Sequence, residues 1–171
     1  MHKEFKFRRG RILLGLTFFV LQLLLYISFL LNPEIYIRNV FIAERGIQII
    51  GIIGFIYSSA VVFSFVSILP RKRALRITDE FLVDHSKYES LGKISWKDII
   101  SVQRLKKNNV EVSLHPVVFK SKKSNLVKRF LRFMHNWNPK KSILISSALL
   151  DVSIEELFET ILLTYEKNKL K

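Results

Sequence analysis

The chain contains no cysteine, which excludes disulfide scaffolds, thiol nucleophiles and thiolate zinc sites together. Glycine is also scarce: Gly15, Gly51 and Gly54 lie inside long apolar runs and Gly92 stands alone, so no glycine-rich loop is available to cradle a phosphate. The four histidines, His2, His85, His115 and His135, are far apart, and none forms a His-x-x-x-His pair or a glutamate-flanked metal motif. Asp84-His85 sets an acid beside an imidazole, but neighbours on a strand point to opposite faces, which spoils the orienting hydrogen bond that catalysis needs. Trp96-Lys97-Asp98 reads as a buried aromatic followed by a turn. The resulting expectation is no enzyme, no cofactor and no metal ion. Acidic residues are few as well, 14 against 28 Lys and Arg, for a formal charge of +14 over 171 residues, so a large partner is expected to be anionic.

What the chain has in quantity is apolar sequence, concentrated before Pro70. Residues 12–31 run twenty positions without a formal charge, a helix of about 30 Å, which matches a bilayer's hydrocarbon core. Residues 47–69 form a second uncharged run, stopped by Pro70. The first run exceeds the ~7–15 residues of a signal peptide and is followed by no small-x-small cleavage pattern. Lys3, Lys6, Arg8, Arg9 and Arg11 precede it, and Arg71, Lys72, Arg73 and Arg76 follow the second, while residues 32–46 between them carry balanced charge. Excess Lys and Arg stay inside, so the sequence predicts a multi-pass membrane protein with both termini cytoplasmic. Its organisation is a basic N-terminus (1–11), two spans (12–31 and 47–69), an external loop (32–46) and a cytoplasmic domain (70–171). Antiparallel packing sets Gln22 level with Ser58 and Ser59, and Gly51, Gly54 and Ser58 offer a small-residue stripe. That stripe serves either the hairpin or a homo-oligomer. No charge inside either span suggests an ion or proton path.

Beyond Arg73 the pattern shifts to short alternating stretches: ALRIT and FLVDH around Asp79-Glu80, then GKISWKDIISV, QRL and VEVSL around Lys106-Lys107-Asn108-Asn109, and the run from Ser142 to Ile145. Six strands are expected, seven if Val117 to Phe119 forms another. Ser153-Ile154-Glu155-Glu156 is a capping box, and Leu157, Phe158, Ile161, Leu162 and Tyr165 fall on one face of the helix it starts. The order of two spans, a basic stop, ALRIT, Ile94-Ser95-Trp96-Lys97-Asp98-Ile99 and the Leu149 to Leu157 run resembles small bacterial two-span proteins that carry a cytoplasmic pleckstrin-homology-like (PH-like) domain. The resemblance implies an α+β domain beside the helical hairpin: a bent β-sandwich or barrel of six to seven strands, closed by a C-terminal amphipathic helix. It implies no activity.

The chain departs from a compact domain of that kind by a basic insert, residues 120–141. No acid occurs from Val112 to Leu150, yet Lys120, Lys122, Lys123, Lys128, Arg129, Arg132, Lys140 and Lys141 do. On a helix from Ser124, one face holds Leu126, Val127, Phe130, Leu131, Phe133, Met134 and Trp137, and the other Asn125, Lys128, Arg129, Arg132 and Asn136. Such a helix either packs its apolar face on the β-domain or lies along a membrane, with Trp137 at headgroup level. Clustering of the aromatics on the apolar face argues against stacking on nucleic acid. The expectation is a non-catalytic binding or scaffolding module, oriented on anionic phospholipid headgroups by Lys122, Lys123, Lys128, Arg129, Arg132, Trp137, Lys140 and Lys141. The alternative is an accessory or immunity-type subunit that docks on a larger membrane protein complex.

Overall fold

The computed structural model describes residues 2–37, 44–105, 108–121, 125–135 and 141–170. It opens with a strand, β1 (Lys3–Phe5), followed by two long helices, α1 (Arg9–Leu31) and α2 (Glu44–Ile68). Both are long and apolar enough to cross a membrane. Each begins three residues before the expected apolar run, at Arg9 rather than residue 12 and at Glu44 rather than residue 47. The buried residues are Ile12 in α1 and Ile47, Gly51, Gly54, Ser58, Val61 and Ile68 in α2; the remaining surface is largely uncovered aliphatic and aromatic side chain. A soluble core helix would bury most of that surface; these two expose it all round except where they touch.

β1 is antiparallel to β2 (Leu75–Ile77), with Phe5 opposite Leu75 and Lys3 opposite Ile77. β3 (Phe81–Asp84) and β4 (Gly92–Ser95) complete a four-stranded sheet in the order β1-β2-β3-β4. Thr78 closes the β2–β3 turn, its Oγ1 accepting the Phe81 amide at 3.1 Å. Gly92 opens β4 at φ 74°, a left-handed conformation that costs a side-chain-bearing residue about 1 kcal/mol. The chain then leaves the sheet through a single turn, Trp96–Asp98, where the Trp96 indole is buried and donates to the Thr78 carbonyl at 2.8 Å. β5 (Ile99–Leu105), β6 (Asn109–Leu114) and β7 (Ser142–Ser146) form the second antiparallel sheet. Between β6 and β7 lie two helices, α3 (Pro116–Ser121) and α4 (Leu126–His135), and the described chain ends in α5 (Ile154–Lys169).

The seven strands include one that the sequence reading does not supply and omit one that it allows. Val117 to Phe119 lies in α3, not in a strand: Pro116 at the first helical position has no amide to give a ladder and is preset for helix. The missing strand is β1, in the stretch expected only as basic flank. Phe5 and Phe7 are buried while Lys6 is exposed, the alternation of a half-buried strand. The Asp151 amide donates to the Lys6 carbonyl and the Arg8 amide to the Leu149 carbonyl, both at 2.9 Å, which ties this segment to the lead-in of α5.

α5 covers the sheets through Leu157 and Ile161, with Phe158, Leu162 and Tyr165 packed at the edge of the core as expected. Ser153 caps the Glu156 amide at 3.1 Å, but the Glu156 carboxylate turns to Lys3 of β1 at 2.8 Å. Ile12 and Ile68 belong to the same buried cluster as Leu75, Ile94, Ile145 and Leu157, so the ends of both long helices are rooted in the β-domain. The helical hairpin is therefore an insertion between the first and second strands of one folded unit. β1 and every described element after α2 lie at the same end of that hairpin.

Candidate membrane-facing surface

Within the hairpin, a methyl group at Gly15 would sit 2.8 Å from the Phe65 ring, one at Gly51 2.9 Å from Leu30, and one at Gly54 would overlap the Tyr26 ring. These contacts fix an antiparallel register that sets Gln22 level with Ser58. Gly51, Gly54 and Ser58 are all buried, the two glycines against Leu30 and Tyr26 of α1. The expected Gln22 contact with α2 takes a different form. The Gln22 amide donates to the Tyr26 hydroxyl one turn along its own helix, at 3.0 Å, and Tyr26 packs on Gly54. Among the described residues, Gln22 Oε1 and Ser58 Oγ find no hydrogen-bond partner.

In the basic insert, Asn125 caps α4, its Oδ1 accepting the Lys128 amide at 2.9 Å, so it belongs to the helix start and not to the polar face. Leu131 is fully buried. Lys128 and Arg132, which flank the same inward side, are half-buried. The Arg132 guanidinium donates to the Glu89 carbonyl at 3.0 Å, and burial lowers its pKa from the ordinary value, opposed by the nearby Glu89 charge. The Lys128 ammonium lies 5.2 Å from the centre of the Tyr88 ring, and Arg129 is exposed. Leu126, Val127, Phe130, Phe133 and Met134 are left exposed, Leu126 and Phe133 at 80% and 70%. The helix is thus rotated so that the border between its apolar and basic faces meets the domain, while most of its apolar face points away. Lys122, Lys123, Trp137 and Lys140 fall outside the described residues; Lys141 is exposed just before β7.

The face that α4 leaves open adjoins α2. Leu126, Val127 and Phe130 line an apolar crevice of about 430 Å³ with Ile56, Ser59, Ala60 and Phe63. Counted from Ile68, where α2 enters the domain core, Phe63 lies about 8 Å and Ile56 about 18 Å along the helix. α4 therefore runs beside the half of α2 nearest the domain.

Basic residues ring the same level, and several belong to segments read only as topology signals. Lys6, Arg9, Arg71 and Lys72 border one crevice at the foot of the hairpin, and Arg71, Arg73, His85 and Lys128 border another. Arg71 is held in place by hydrogen bonds to the carbonyls of His85 (3.0 Å) and Lys87 (3.2 Å). Glu4 on β1 is shared by Arg73 at 2.7 Å and Arg76 at 2.8 Å, leaving the pair with excess positive charge. Asp84 is buried, and its carboxylate accepts the Ser86 amide at 2.9 Å while His85 is exposed, so the two side chains part as expected. Among the described residues, no three His, Asp or Glu side chains gather closely enough to hold a metal ion. The chain matches no protein-family model, no curated protein and no solved structure.

Proposed function

We propose that this protein is a non-catalytic, two-span protein of a bacterial inner membrane that holds a PH-like β-domain against the cytoplasmic leaflet, seated on anionic headgroups by α4 and the basic ring. The observation that carries this reading is the rotation of α4: its exposed apolar side chains lie beside the exposed face of α2, and its Lys128 borders the same crevice as Arg71 and Arg73. The order of four strands, three strands and a closing helix supports the PH-like assignment. Each Lys or Arg near an anionic leaflet contributes at most about 1 kcal/mol, and the spans already anchor the chain, so the contact sets the domain's attitude and does not recruit it. The pairing of β1 with β2 supports an N-terminus on the domain's side of the membrane, and the Lys and Arg excess supports a cytoplasmic domain.

Two measurements on the full chain test this, using its lack of native thiols. A cysteine at Ile35, which is exposed between the spans, is expected to react with a membrane-impermeant maleimide on intact cells, whereas one at Leu170 is expected to react only after lysis. The reverse pattern would invert the topology. A polarity-sensitive dye on Phe133→Cys in vesicles is expected to be quenched by spin labels placed shallowly in the lipid, more strongly when the lipid is anionic. A dye reached only by aqueous iodide would leave the exposed face of α4 as a docking surface for another membrane protein.

A further inference from the structure

Two crevices described above share a wall. Tyr88 meets Phe63 of α2 edge-on with ring centres 5.0 Å apart, carries Lys128 over its face, and accepts a hydrogen bond from the Asn125 amide at 3.0 Å. On one side of this wall the basic crevice, about 510 Å³, is edged by Arg71, Arg73 and Lys128. On the other, the apolar crevice runs along Ile56, Ala60 and Phe63 of α2, facing Val127 and Phe130 of α4. Among the described residues no carboxylate pairs with Arg71 or Lys128, and Arg73 shares its one carboxylate with Arg76. The cationic end lies at the foot of the hairpin, and the apolar end extends along the helix toward the middle of the bilayer.

We propose that the two crevices form one seat for a single anionic phospholipid of the adjoining leaflet, a proposal that rests on the membrane-facing reading above. The headgroup phosphate sits among Arg71, Arg73 and Lys128, and one acyl chain lies in the trough between α2 and α4. Charge complementarity selects the headgroup. Arg71, fixed by two carbonyls, offers its remaining donors without first having to be ordered. The apolar trough, at about 430 Å³, is within the ~300–1,000 Å³ typical of small-molecule sites and gives a diacyl lipid contact that free phosphate lacks. The lipid so held wedges α4 against α2 and couples the tilt of the domain to the composition of the leaflet.

The test is native mass spectrometry of the full chain in mild detergent, delipidated and then titrated separately with phosphatidylglycerol, phosphatidylcholine and glycerol phosphate. One phosphatidylglycerol per chain is expected to be retained, with phosphatidylcholine and glycerol phosphate each held about tenfold less, the worth of one charge-assisted hydrogen bond. Arg73→Gln with Lys128→Gln is expected to cut phosphatidylglycerol retention about tenfold by removing charge. Ala60→Trp is expected to cut it comparably with every charge intact, by filling the trough. Equal retention of the two phospholipids, or retention undiminished in both variants, overturns the seat. If the Phe133 dye reports lipid contact while no stoichiometric lipid is retained, the seat fails and the membrane-facing reading stands; a dye in water removes both.

Discussion

At the scale of single residues, the tightest glycine site in the hairpin is Gly54 beneath the Tyr26 ring, and the tool for testing it is one methyl group. Gly54→Ala is expected to cost about 1–3 kcal/mol, read as a lower unfolding midpoint in detergent, because the ring must swing away from a position also held by its hydrogen bond with Gln22. Adding Gly54→Ala to a chain that already carries Tyr26→Ala is expected to cost little. Equal cost in both backgrounds would separate the glycine from the ring. The cations of α4 divide in the same residue-by-residue way. Arg132 is half-buried and donates to the Glu89 carbonyl, so Arg132→Ala is expected to lose roughly 1 kcal/mol of stability, while exposed Arg129→Ala stays within ~0.5 kcal/mol of the parent in chemical denaturation. Equal losses would mean that Arg132 is not structural. Replacing both residues together would therefore mix loss of fold with loss of surface charge.

At the scale of elements, the long helices, the turn at Trp96 and α5 were legible because each has a dense local signal: an uncharged run, an aromatic in an alternating stretch, a cap followed by an apolar stripe. β1 was not. Its alternation spans only a few residues, and the basic residues interleaved with Phe5 and Phe7 are also what topology requires before a span, so one pattern served two purposes and the second was hidden. The strand pairs with residues more than sixty positions away across the whole hairpin, and no local pattern announces such a partner. The same limit explains α4. Periodicity gave its two faces, but which side turns inward depends on Glu89, Tyr88 and Phe63, brought together only by folding. If β1 is integral, Phe5→Ala is expected to cost about 3–5 kcal/mol in chemical denaturation, as for a buried aromatic elsewhere in a core, while Lys6→Ala changes stability by less than ~0.5 kcal/mol. Equal, small effects would make β1 a dispensable tail.

At the scale of the whole molecule, a domain that takes its first strand from before the spans cannot be obtained by cutting after them. A chain beginning at Arg71 lacks Phe5 and Phe7 and leaves the β2 edge unpaired beside a core that has also lost Ile12 and Ile68. Such an edge is a template for intermolecular pairing, so that fragment is expected to aggregate or to unfold without cooperativity. The register of the hairpin offers the alternative. Gly15 lies against Phe65, so the two helices are adjacent just above the domain, and a short glycine-rich link from Leu14 to Phe65 can bypass the rest of both spans while keeping Ile12 and Ile68. This shortened chain is expected to be monomeric, to show strand-rich circular dichroism and to unfold in a single transition, because it retains all seven strands and α5. Sedimentation and thermal melts of the two chains side by side decide the matter. If the chain from Arg71 folds as well as the bypassed one, β1 is ornament and the hairpin is a simple anchor. If only the bypassed chain folds, the helical hairpin is a loop of the β-domain, and a tilt of either long helix must act directly on the β1–β2 edge.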